Sequence, residues 1–383
     1  MPLRDIAAIT GIGETKYCRN AGRSSVSLNV EAALAAIRDA GLQPKDIDGI
    51  IALTYGGIVA EDFMTNLGIS DLRFSGACPL GGASAVAGLQ SAAAMIKAGI
   101  CRHVLLPAGR NGASGPRVTN IVAAIPQMKV LAEFERPLGV FGPAQFYAPM
   151  VRRHMELYGT TSRQLGEIAV TMRRHAMLSD NAIMQKPMTI EDHQASRMIA
   201  DPLRALDCCI ESDGAAAVVV SAADFARDAP NTRVLISGLA EAHPESPSIA
   251  TQRADLTKLG TAKAAPRAFA MAGVTPSDID LAELYDCFTY IVLCQLEDLG
   301  FCKKGEGGAF VEGGRISLGG ALPVNTHGGL LSQAHVSGMN HIVELVRQLR
   351  GQGGKAQVKD AELGLVTGYG DFSDASIAIM RRG

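Results

Sequence analysis

An α/β fold with a central sheet, assembled from two related halves, is what this sequence predicts, and three observations carry the prediction. Residues 40–48 read AGLQPKDID and residues 272–280 read AGVTPSDID, so Ala, Gly, Pro, Asp, Ile and Asp return at six matching places. Nearly half of the 383 residues are hydrophobic, with 42 glycines and no tryptophan, a composition suited to close helix–strand packing. Short apolar runs bounded by Gly, Ser or Pro recur along the chain, as strands buried on both faces do.

The first such run is Ile6–Gly11. Helical, Ala-rich segments precede both copies of the repeat, Glu31–Asp39 before the first and Ala264–Met271 before the second. In each copy Gly closes the helix, Pro opens the next turn and Asp-Ile-Asp runs into a strand. Val86–Ala98 is spaced as a helix ending at Gly99, with Val104–Leu106 following as a strand. From about 110 to 206 the pattern loosens into probable helices carrying Met, Arg, Gln and His. Ala215–Val220 and Val234–Ser237 return to buried-strand character. The expected halves are 1–225, with the segment of about 110–206 inserted, and 226–383. Late in the chain, Val324–Gly338 reads VNTHGGLLSQAHVSG, a turn with paired glycines and a lone histidine. Met339, Ile342, Val343, Leu345, Val346 and Leu349 then show the apolar spacing of an amphipathic helix.

Several function classes are excluded. The net charge is −2 with both signs interspersed, so no footprint for nucleic acid exists. Eight cysteines include no Cys-x-x-Cys pair, no uncharged apolar run reaches the roughly 20 residues of a membrane helix, and the N-terminus lacks a signal-peptide core. A reducing cytoplasm is the expected setting. Gly11-Ile-Gly13 lacks the third glycine of a dinucleotide fingerprint, Gly305-Glu-Gly307-Gly308 lacks the Lys-Ser/Thr of a phosphate loop, and no His/Cys group has metal-ligand spacing. No metal and no bound cofactor are expected.

The Asn325-x-x-Gly328-Gly329 run with His335 resembles the thiolase superfamily, whose Asn-x-x-Gly-Gly is followed by Gly-His-Pro. Ser212-Asp213-Gly214-Ala215-Ala216-Ala217 and Glu283-Leu-Tyr285-Asp286-Cys287-Phe288 extend the resemblance, the latter to the His-Asp-Cys-Phe motif of sterol-carrier-protein-type thiolases. It implies the thiolase fold, two duplicated halves in a layered αβαβα arrangement with an inserted loop domain, usually as a homodimer. Thiolases attack an acyl-CoA with a cysteine at a helix start, in a Cys-x-Ser-Gly setting. Two registers stay open here. Gly82-Ala83-Ser84-Ala85 matches without an insertion and puts glycine in the nucleophile position; Cys78-Pro-Leu-Gly81 keeps a cysteine but needs about one more helical turn.

With Tyr285 in place of the motif histidine, the chain resembles the thiolase-like aldolases of steroid side-chain degradation. These cleave a β-hydroxyacyl-CoA by a retro-aldol step, with the CoA thioester as substrate. The resemblance implies Tyr285 as acid/base, with Cys287, the acid/base cysteine of the motif, retained as a further catalytic residue. It gives His335 and Asn325 as thioester-oxygen or proton-relay groups, and Gly328, Gly329 and Ser84 as substrate-binding residues. It also implies a partner, a small OB-fold protein with a zinc ribbon that completes the acyl-CoA site. Two rivals remain: an acyltransferase using Cys78, and a non-catalytic acyl-CoA-binding subunit.

Overall fold

The computed structural model describes the chain apart from residues 1–2, 54–56, 119–120, 122–128, 246–249 and 371–372. Part of the expected insert therefore lies outside the described residues. Among the described residues nine strands form one sheet: β1 (Ala7–Glu14), β2 (Gly49–Ile51), β3 (Phe74–Gly76), β4 (His103–Asn111), β7 (Asp213–Ala222), β8 (Val234–Ala242), β9 (Leu281–Glu283), β10 (Leu363–Gly370) and β11 (Asp374–Arg382). Two short strands, β5 (Met198–Ala200) and β6 (Leu203–Arg204), pair separately. The sheet order is β3-β2-β4-β7-β1-β8-β11-β10-β9.

Read outward from the β1–β8 junction, the order repeats. One side runs β1-β7-β4-β2-β3 and the other β8-β11-β10-β9, with Val324 bridging Ala282 in the fifth place. The directions repeat as well: β2 and β9 lie parallel to β4 and β10, while the inner neighbours are antiparallel. β1 meets β8 through Ala8–Leu235 and Ile9–Val234.

The repeated nonapeptide has a mechanical reading. Its Gly41 and Gly273 take φ values of 72° and 71°, where a glycine avoids the Cβ clash. Pro44–Asp46 and Pro276–Asp278 form matching 3-10 turns, in which Asp46 and Asp278 accept the backbone N–H of Gln43 and Thr275 at 2.7 Å. The last aspartate of each copy grips the start of the neighbouring parallel strand. Asp48 accepts from the backbones of Arg102 and His103, and Asp280 from those of Glu362 and Leu363.

Helices complete the layers. Ser25–Asp39, capped by Ser24, packs on β1, β4 and β7, and Thr261–Ala272 packs on β8 and β11. Ser84–Lys97 and Met339–Leu349 touch strands of both halves, so they form the middle layer between them. The first of these starts two residues earlier than its apolar spacing suggests, after a tight Gly81–Ala83 turn. Among the described residues no helix is long and apolar enough to cross a membrane.

Candidate active site

Where the middle helix Ser84–Lys97 begins, the Gly81–Ala83 turn faces a cavity of about 280 Å³ whose walls include Gly82, Arg110, Tyr285, Cys287 and His335. A Cβ built on Gly82 would lie 2.2 Å from both Cζ and the hydroxyl oxygen of Tyr285, and 2.4 Å from the Tyr369 carbonyl oxygen. The phenol thus occupies the space that any side chain at residue 82 would need. Gly338, at φ 79°, makes room in the same way, since its Cβ would come 2.9 Å from Tyr285 Cδ2.

The backbone around Tyr285 is held on several sides. Asn325 Oδ1 accepts the Leu284 N–H at 2.6 Å while its Nδ2 donates to the Leu284 carbonyl at 2.8 Å. Tyr285 N–H donates to Thr367 Oγ1 and its carbonyl accepts from Gln295 Nε2. Asn325 is fully buried, and its amide oxygen and nitrogen both serve this clamp. Asn325 does not line the cavity; its side chain positions the segment that carries Tyr285.

The paired glycines also serve the frame. Neither lines the cavity, and both pack closely against protein. A Cβ on Gly328 would meet the backbone of Ala176 at 2.7 Å, and one on Gly329 would meet the Asp286 carboxylate at 2.0 Å. Both have positive φ, 100° and 61°. Their closeness lets Asp286 accept the N–H groups of Leu330 and Leu331. Ser84, the third expected substrate-binding residue, is buried too: its hydroxyl donates to the Gly81 carbonyl at 2.6 Å and accepts the Leu80 N–H. It shapes the turn and does not line the cavity.

Tyr285 and His335 do come together, with the hydroxyl 3.3 Å from His335 Nε2. The histidine's backbone N–H donates to Ser212 Oγ at 2.8 Å, so the Ser-Asp-Gly-Ala-Ala-Ala segment anchors it. Burial, helped by the positive charge of Arg110, pulls the His335 pKa down to about 4. The imidazole is neutral at physiological pH and can accept a proton. Behind Tyr285 lies a buried polar layer. His341 packs its ring nearly parallel to the phenol at 6.2 Å and meets Asp286 Oδ1 through Nε2 at 3.0 Å. His327 stands edge-on to His341 beside Glu283 and does not line the cavity.

Three thiols line the cavity: Cys208, Cys209 and Cys287. Burial pushes Cys208 up to about 12 and holds Cys209 and Cys287 well above the ordinary thiol range, so all three stay protonated at neutral pH. Cys78 lies outside the cavity wall. Its Sγ sits 3.7 Å from Ser91 Oγ, about two turns along the helix, and burial raises its pKa as well. Sequence reasoning missed Arg110. Its signal was a charge at the end of the otherwise uncharged strand run HVLLPAGRN. Among the described residues no group of three or more His, Cys, Asp or Glu could hold a metal.

Residues 242–382 match the thiolase C-terminal domain-like family. A steroid side-chain-cleaving aldolase of Thermomonospora curvata is 42% identical over 354 residues, covering 90% of each chain. The chain belongs to the thiolase superfamily, in its steroid side-chain-cleaving aldolase branch. A 17-hydroxy-3-oxo-4-pregnene-20-carboxyl-CoA lyase of Mycobacterium tuberculosis is likewise 42% identical, over 90% of this chain and 92% of its own. A solved structure described as an Ltp2-ChsH2(DUF35) aldolase superposes with a TM-score of 0.93 at 40% identity, covering 100% of this chain and 99% of that one.

Proposed function

We propose that this chain cleaves the Cα–Cβ bond of a steroid side-chain β-hydroxyacyl-CoA, with Tyr285 and His335 moving the proton. It is an acyl-CoA-dependent carbon–carbon lyase of the retro-aldol type. The observation that carries the roles is the packing of the Tyr285 phenol into the space above Gly82, hydrogen-bonded to a neutral His335. In the cleavage step the β-hydroxyl proton passes to the Tyr285 oxygen as that residue's own proton passes to His335 Nε2. The Cβ–O bond becomes a ketone, the Cα–Cβ pair moves onto the thioester as an enolate, and the proton returns through Tyr285 to Cα. Atoms and electrons balance with no oxidant and no free CoA. This route uses the His335 tautomer with its proton on Nδ1. A positioned acid/base pair of this kind contributes about 10²–10⁴-fold.

The protonated state of the three cavity thiols supports a non-covalent path, because thiolysis needs a thiolate beside the thioester. The steroid assignment rests on the names of the two relatives. A small OB-fold zinc-ribbon partner is part of the proposal. Its support is the DUF35 component named with the solved relative, and a cavity slightly below the roughly 300–1,000 Å³ usual for drug-sized ligands. Such a cavity holds the reacting end of an acyl-CoA and leaves the CoA arm to be covered.

The test supplies the chain, with its partner, with a tertiary β-hydroxyacyl-CoA and no free CoA. The expected products by mass spectrometry are a ketone and a shortened acyl-CoA, lost in Tyr285→Phe. Turnover that requires free CoA and yields a thiolysis product would replace this reading with an acyltransferase.

A further inference from the structure

Arg110 is a charged side chain that the proton relay leaves unused. It stands at the end of β4, is 6% exposed and lines the cavity with Tyr285 and His335. A guanidinium has five N–H donors. Among the described residues one of them is bonded, Nη1 to the Pro116 carbonyl at 3.0 Å. Glu211 lines the same cavity, but its oxygens are engaged by the Arg117 guanidinium and the Val118 N–H. The guanidinium lies over the bare Cα of Gly112, where a Cβ would come 2.8 Å from its Cζ. Its other donors are not sealed in the core; they face the cavity, where a bound group can complete the hydrogen bonds of this largely buried cation.

We propose that Arg110 is a catalytic residue that holds the thioester oxygen as it becomes an enolate. This rests on the retro-aldol reading above. Cleavage moves an electron pair from the Cα–Cβ bond onto that oxygen, and the site needs a donor there. Asn325 cannot serve, since it is fully buried outside the cavity wall with its amide clamped on Leu284. Tyr285 and His335 are occupied with the proton. A preformed donor aimed at a developing oxyanion contributes about 10²–10³-fold, and the guanidinium brings two N–H groups in one plane.

The enolate can be tested without cleavage. The chain with its partner is incubated with propionyl-CoA in D2O, and Cα deuterium uptake is followed alongside cleavage of a β-hydroxyacyl-CoA. Wild type is expected to catalyse both. Arg110→Ala should lose each by about 100-fold or more, while propionyl-CoA binding weakens much less. Millimolar guanidinium should restore part of both rates. If Arg110→Ala does not fold, Arg110→Lys decides: it keeps a charge but not the planar fork, and should fold while losing about tenfold or more in both assays. Either variant folded and within threefold of wild type would overturn the role of Arg110, as would a folded Arg110→Ala whose losses guanidinium does not relieve. A wild-type complex that neither cleaves nor exchanges would instead overturn the retro-aldol reading.

Discussion

Residues 82 and 285 have to be understood as a pair. With Tyr285 in place, a Cβ at position 82 overlaps the phenol, so even alanine forces the ring away from His335. Gly82→Ala is expected to destabilise the fold by about 1–3 kcal/mol through overpacking and to remove cleavage activity. Thermal unfolding beside a product assay checks both. His335 gives a pH signature. Its folded pKa of about 4 lies below the ordinary 6.5, so activity should persist at pH 5 and fall only near 4. The same shift fixes the sign for stability. Between about 6.5 and 4 the unfolded chain binds a proton that the folded chain does not, so this group makes stability fall as pH drops through that window. Below about 4 both states carry the proton and the dependence ends. An acid limb near 6.5 in the kcat/KM profile would contradict a buried, neutral His335. The motif letters made Tyr285 and His335 legible, because residue type and spacing carry over between related chains. Arg110 was not legible: a lone arginine in sequence does not reveal that its guanidinium turns into a cavity.

Among the elements, the loop Val324–Gly338 does something other than its letters suggest. Paired glycines beside an asparagine suggest a backbone waiting for a ligand, yet here they let Ala176 and Asp286 approach from behind. Spacing marks a close approach but not which atom makes it. Asn325 shows the same limit, since a side-chain amide can face substrate or the neighbouring backbone equally well by sequence. Asn325→Ala removes both bonds to Leu284 and leaves two buried backbone groups unpaired, at about 1–3 kcal/mol each. Denaturant unfolding should show this loss, and kcat should fall because the Tyr285 segment is freed. The repeated nonapeptide was more transparent, because its Gly, Pro and Asp act locally. Those letters recur as the same capped turn and the same strand clamp in both halves.

For the whole molecule, the duplicated sheet brings pieces from distant parts of the chain to one point. The first half supplies the Gly81–Ala83 turn and Arg110, and the second supplies Tyr285 and His335. Cys78, the cysteine that sequence left open as a nucleophile, stays with the helix flank near Ser91. The central claim is therefore that carbon–carbon cleavage proceeds on this thiolase scaffold without an acyl-enzyme. Its most direct test is the intact mass of the chain, quenched during turnover of a β-hydroxyacyl-CoA in the presence of the proposed partner. The account predicts an unmodified mass while ketone accumulates. An added acyl mass on the chain, mapped to Cys78 or to a cavity cysteine and chased by free CoA, would contradict it.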